Sequence, residues 1–197
     1  MHKKLFVISG CSGVGKGTVI NEFMKRNSDS FILSVSCTTR KPREGEIHGV
    51  NYFFLTTEEF EKNIAEGKFL EHAQFAGNHY GTKKKYIKQK FDEGFNVLLE
   101  IDTQGALQVK SKMPEAVLIF IAPPGVNIKT GDITGGLIEL EKRLRGRNTE
   151  DELTIRNRLA QAKTELERSK NYDYTVINDD VERALSEIET IVSKELT

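Results

Sequence analysis

Short, nearly continuous apolar runs alternate along the chain with stretches whose apolar residues recur at steps of three and four. Leu5-Phe6-Val7-Ile8-Ser9 reads as a buried parallel strand. After Lys16, residues Val19, Ile20, Phe23 and Met24 fall on one helical face. Further strands are expected at Ile32–Ser36, Tyr52–Leu55, Val97–Ile101, Val117–Ala122 and Tyr174–Ile177. A helix should open at Thr56, a hydroxyl cap followed by the early acids Glu58 and Glu59. Thr149 and Glu152 have capping-box spacing ahead of Ile155, Leu159, Ala162 and Leu166. The last helix should follow Asn178-Asp179-Asp180 and carry Val181, Leu185, Ile188 and Val192 on one face. Such alternation predicts an α/β fold with a mainly parallel central sheet flanked by helices. Two regions break it. From about Val35 to Lys90 the pieces are short and strand-like, as in a small β-rich insertion lying over the sheet's carboxyl edge. Gly125 to Gly136 is glycine-rich without a period and reads as a mobile loop.

Composition narrows the class. The 197 residues suit one domain, and 38% hydrophobic content is too high for a disordered chain. With 29 Lys+Arg against 29 Asp+Glu there is no cationic surplus, which argues against sequence-independent nucleic-acid binding. No run approaches the roughly 18 apolar residues of a membrane span. The N-terminus enters a strand-like run with no signal-peptide pattern, so a cytoplasmic protein is expected. Cys11 and Cys37 read as two reduced thiols, and none of the four histidines has metal-ligand or catalytic spacing.

Chemistry concentrates first at Ser9-Gly10-Cys11-Ser12-Gly13-Val14-Gly15-Lys16-Gly17-Thr18, between the first strand and the first helix. This is a Walker A context. Glycines let the backbone curl until successive N–H groups converge on one anion, and the helix N-terminus adds partial positive charge. Lys16 supplies a full charge to terminal phosphates. A second candidate is the strand ending in Glu100 and Asp102, which would point to the same face and could attend a P-loop Mg²⁺. No Asn-Lys-x-Asp loop for guanine in a GTPase is present.

The remaining motifs carry a resemblance. Ser36-Cys37-Thr38-Thr39-Arg40-Lys41-Pro42-Arg43-Glu44-Gly45-Glu46 and Gly49-Val50-Asn51-Tyr52-Phe53-Phe54 come first. Phe69-Leu70-Glu71, Gly77-Asn78-His79-Tyr80-Gly81-Thr82 and Glu100-Ile101-Asp102-Thr103-Gln104-Gly105 follow. Ile121-Ala122-Pro123-Pro124, Arg143-Leu144-Arg145-Gly146-Arg147, Arg156-Asn157-Arg158-Leu159 and Val176-Ile177-Asn178-Asp179 complete the set. Together they resemble the guanylate kinase family over nearly the whole chain. Gly17 after Lys16, with Thr18 next, fits the Gly-Lys-Gly-Thr form found among nucleoside monophosphate kinases.

The resemblance implies phosphoryl transfer from ATP to GMP or dGMP, with Mg²⁺ accompanying ATP through water-mediated contacts. It implies a P-loop core at about 1–34, 94–136 and 159–197, a GMP-binding subdomain at about 35–93 and a helical lid at about 137–158. It puts Gly10, Cys11, Ser12, Gly13, Val14, Gly15, Lys16, Gly17, Thr18 and Asn178 with ATP. Arg40 and Arg43, with Tyr52 and Tyr80, take the GMP phosphate. Arg143 and Arg147 belong to the lid, and Arg158 lies near the transferred group. With Lys16 and Arg40, these three arginines form the expected catalytic set.

Guanine presents N1–H and N2–H₂ as neighbouring donors, which one carboxylate can accept. Glu71 matches the family position for this role, with Asp102 assisting and the Ser36 and Thr82 hydroxyls donating to O6. About eleven residues of the 125–136 stretch count as an insertion relative to the family pattern, expected near the lid hinge. The implied partners are small nucleotides, with no nucleic acid or membrane, for a monomer or homodimer. Two other readings fit the fold: a scaffold module that binds phosphorylated partners in the GMP groove, and a P-loop kinase for another monophosphate. The intact P-loop and the absence of room for a second module weigh against the scaffold.

Overall fold

The computed structural model describes residues 3–146 and 151–197. In chain order it runs β1 (Leu5–Gly10), α1 (Lys16–Asn27), β2 (Phe31–Leu33), β3 (Cys37–Thr38), β4 (Phe53–Phe54) and α2 (Thr57–Ala65). Next come β5 (Phe69–Phe75), β6 (Asn78–Lys83), α3 (Lys84–Asp92), β7 (Asn96–Glu100), α4 (Thr103–Lys112) and β8 (Val117–Ala122). The chain closes with α5 (Thr134–Gly146), α6 (Glu152–Arg168), β9 (Tyr174–Ile177) and α7 (Val181–Leu196). Five strands form one sheet in the order β2-β7-β1-β8-β9, and the pairs β2·β7 and β8·β9 are parallel. This is the α/β architecture that the alternating pattern predicts.

The chain divides into two compact units. One comprises Met1–Phe6 and Asp29–Ala116. It holds the second sheet, ordered β4-β3-β6-β5, in which β3·β6 and β5·β6 are antiparallel. Cys37, Phe60 and Phe69 are its buried centre, and the Phe60 and Phe69 rings stack at 4.4 Å. Thr56 caps α2 in a complete capping box with Glu59, which fixes where that helix starts. The other unit comprises Val7–Ser28 and Val117–Thr197. Every residue of β8 is buried, and α1 presents Val19, Ile20 and Phe23 to the same core as Leu185, Ile188 and Val192 of α7.

Several boundaries differ from the sequence reading for local reasons. The run Ile32–Ser36 gives only Phe31–Leu33, and Tyr52–Leu55 gives only Phe53–Phe54. The run at Val97–Ile101 becomes Asn96–Glu100, because Asp102 already turns the chain into α4 as its N-cap. Glu100 and Asp102 therefore do not share a strand face. Asp151 caps α6, its carboxylate accepting from the Thr154 N–H at 2.7 Å. Thr149, expected in that role, lies outside the described residues. The 125–136 stretch closes on itself through local hydrogen bonds. Asn127 N–H donates to Asp132 O, and the Asn127 side chain accepts from Lys129 and Thr130 N–H. Its last residues, Thr134 to Gly136, already belong to α5. No helix among the described residues is long and apolar enough to cross a membrane.

Candidate active site

In the second unit, β1 runs into the glycine turn and α1 begins at Lys16. Gly13 and Gly15 have φ of 88° and 87°, the left-handed region where a side chain is strained. Gly10 is required for a different reason: a Cβ there would meet the Ile121 carbonyl oxygen at 2.5 Å. The N-cap of α1 is Gly15 with no side-chain cap, and the first turn carries no acid. The Thr18 and Val19 N–H groups donate to Gly15 O at 3.1 and 3.4 Å, and with no side-chain cap or acid the turn presents the positive end of the helix dipole, which suits an anion. The Cys11 thiol is buried, which pushes its pKa far up, so Cys11 offers the site backbone rather than a reactive sulfur.

The resemblance puts Asn178 with ATP. The structure shows a brace. Asn178 is 4% exposed, and its Nδ2 donates to the Val14 carbonyl at 2.7 Å. Its backbone N–H donates to Ala122 O at 2.8 Å, tying the end of β8 to the same point. A cavity of about 450 Å³ is bounded by Gly13, Gly15, Thr18, Arg143 and Asn178. The Arg143 Nε donates to Glu139 Oε1 at 2.9 Å and its Nη2 to the Asn178 backbone O at 3.4 Å, so this cation leans from α5 toward the brace. Arg158 is half-buried on α6. Arg147 lies outside the described residues. Asn178→Ala would orphan the Val14 carbonyl, a loss of about 1–3 kcal/mol. The expected result is a lower melting temperature, measured by thermal unfolding.

In the first unit, β5 and β6 pair so that Glu71 lies opposite Thr82. Both are buried, and the Thr82 hydroxyl donates to Glu71 Oε1 at 2.6 Å. Thr82, expected to face a ligand carbonyl, here spends its proton on the carboxylate. Burial pushes the Glu71 carboxyl up to about 7, against the Thr82 hydrogen bond, which favours the ionised form. Asp102 is committed in part to its helix, accepting from the Gly105 N–H at 2.7 Å.

Arg40 donates to Glu46 Oε1 at 2.7 Å and lies 5.4 Å from the Tyr52 ring centre. Tyr52 and Tyr80 meet edge-on at 6.1 Å. Glu46 also accepts from the Arg43 backbone N–H at 2.7 Å. Arg40 and that N–H hold the Glu46 carboxyl down at about 2. The structure thus gathers Arg40, Tyr52 and Tyr80, while the Arg43 side chain is exposed and Ser36 lies half-buried just before β3. Sequence reasoning missed Glu46 as the partner of Arg40; a six-residue separation in a loop has no periodicity to reveal it.

Among the described residues no three His, Cys, Asp or Glu groups cluster to hold a metal.

A family model described as guanylate kinase matches residues 2–195. The guanylate kinase of Prochlorococcus marinus (strain NATL2A) is 48% identical over 192 residues, covering 98% of this chain and 97% of its own. That of Bacillus cereus (strain ZK / E33L) is 50% identical over 188 residues, covering 95% and 86%. Among solved structures, guanylate kinase from Anaplasma phagocytophilum superposes with a TM-score of 0.73 at 32% identity, covering 98% of this chain and 86% of that one.

Proposed function

Because the chain belongs to the guanylate kinase family, we propose the following roles for its residues in the transfer of a phosphoryl group from ATP to GMP. The Gly10–Thr18 turn holds the ATP phosphates with backbone N–H groups, and Lys16 offsets charge on the terminal ones. Asn178 keeps the turn in shape. Arg40, with Arg43, Tyr52 and Tyr80, takes the GMP phosphate, which displaces Glu46 as the partner of the Arg40 guanidinium. Arg143, Arg147 and Arg158 spread positive charge over the transferred group's oxygens. The attacking GMP phosphate is already anionic, so no general base is needed.

When bound with ATP, Mg²⁺ neutralises charge on the β- and γ-phosphate oxygens. Thr18, in the phosphate turn, is the side chain that would hold one of its waters. A cytoplasmic location suits the two free cysteines, and one chain carries every residue named, so a monomer or a homodimer is sufficient.

The observation that carries the choice of GMP is the buried carboxylate of Glu71 with Thr82 as its hydroxyl partner. Adenine would set its N1 lone pair against that carboxylate, leaving a buried charge unpaired. ADP release measured across GMP, AMP, UMP and dTMP, with Lys16→Ala as the blank, tests the reading. GMP should dominate, and equal rates with AMP would refute it.

The pH dependence follows with its sign. Ionised Glu71 is the acceptor, and its carboxyl titrates near 7 rather than at its ordinary 4.5. Native protein therefore holds this proton more tightly than unfolded chain, and the group's contribution to stability falls as pH rises between those two values. GMP binding runs the other way. The kcat/KM for GMP should climb with pH and level off above about 7, by about tenfold per unit on the acid side. Glu71→Gln should retain only the slope of the GMP phosphate's own ionisation, which lies near ~6.

A further inference from the structure

From the packing around Glu71 we infer that Gly105 determines base specificity: its missing side chain is the seat of the carboxylate that reads guanine. The inference rests on the proposed role of Glu71. A Cβ built on Gly105 would lie 2.7 Å from Glu71 Oε2 and 3.4 Å from its Cδ. Gly105 sits in the first turn of α4, where its N–H donates to the capping Asp102. Its φ is not in the left-handed region, so the local backbone does not demand glycine. What demands it is the carboxylate.

A methyl group against the tip of a flexible side chain is ordinarily accommodated by rotation. Here the strand cannot yield, because α4 clamps its outer edge on both sides of Glu71. Gln108 Oε1 accepts from the His72 N–H at 3.2 Å, and Gln108 Nε2 donates to His72 O at 2.8 Å. Lys112 Nζ donates to Leu70 O at 2.7 Å. Thr82 holds the other carboxylate oxygen at 2.6 Å. Only the carboxylate can move, and it moves away from the position that accepts guanine's donors. The fold tolerates the change and substrate selection does not.

The test is a double-mutant cycle of Gly105→Ala with Glu71→Asp, read by GMP and ATP kinetics and by thermal unfolding. Gly105→Ala should raise the GMP KM by about tenfold or more in the Glu71 background, with the ATP KM within about twofold and the melting temperature not lowered. With Glu71→Asp the shorter side chain has withdrawn, and the same substitution should change the GMP KM by less than about twofold. Equal losses in both backgrounds would overturn the seat while leaving Glu71 its role. A Glu71→Asp variant with an unchanged GMP KM would overturn the seat together with the reading beneath it. Should Gly105→Ala alone fail to fold, restored folding in the double variant supports the clash, and failure of both overturns it.

Discussion

Glu71→Gln is expected to lower kcat/KM for GMP by about three orders of magnitude without unfolding the protein. The amide offers guanine one acceptor and one donor where two acceptors are wanted, so an N–H faces an N–H in a site with little water. Stability should not suffer. Burial makes the ionised form unfavourable in the native state, as the raised pKa of about 7 records, and the amide oxygen can still accept from the Thr82 hydroxyl. The ATP KM should be unchanged, because the P-loop lies in the other compact unit. Steady-state kinetics in both substrates with a melting curve checks all three parts. A GMP kcat/KM within a few-fold of wild type would remove Glu71 from base recognition.

Lys16→Ala is the second large effect, and it should be of a different kind. Lys16 is the first residue of α1, directly after the left-handed Gly15, so its ammonium is the one full charge that the phosphate turn contributes. Phosphoryl transfer depends on positioning and charge stabilisation rather than on covalent help from the protein, and loss of such a cation is expected to lower kcat by about 10³-fold. The loss should be the same for every acceptor, so the preference for GMP over AMP survives at a much lower rate. Glu71→Gln does the reverse: it removes preference first. Ratios of kcat/KM for GMP and AMP in the two variants separate the phosphate function from the base-reading function, and a changed ratio in Lys16→Ala would contradict that division.

What the sequence made readable is what lies close together in it. The phosphate turn is ten consecutive residues whose glycines, lysine and flanking apolar runs all speak to one structure. The hydroxyl cap and early acids that open α2 are close neighbours in the chain, and the structure closes Thr56 and Glu59 into a full capping box. Asp180 likewise caps α7 where the acidic run predicted a helix start.

Long-range contacts left no such signal. Asn178 bonds a carbonyl 164 residues away. Gly105 and Glu71 are brought together by α4 packing on β5, which no periodicity in either segment announces. Competition between neighbouring elements explains other differences. Asp102 looked like the continuation of a strand, and the pull of a helix N-terminus for a carboxylate cap won that residue. Thr82 looked like a free donor, and a buried carboxylate directly opposite it took the hydroxyl.

The central claim is that a buried carboxylate accepts two adjacent donors of the acceptor base. It is tested most directly by comparing GMP with inosine 5′-monophosphate, which lacks only the 2-amino group, in wild type and in Glu71→Gln. One hydrogen bond to a charged group amounts to about 1.5–3 kcal/mol, so wild-type kcat/KM should favour GMP by about 10- to 150-fold. In Glu71→Gln that preference should collapse to near unity. A GMP preference that persists at full size in the variant would contradict the account.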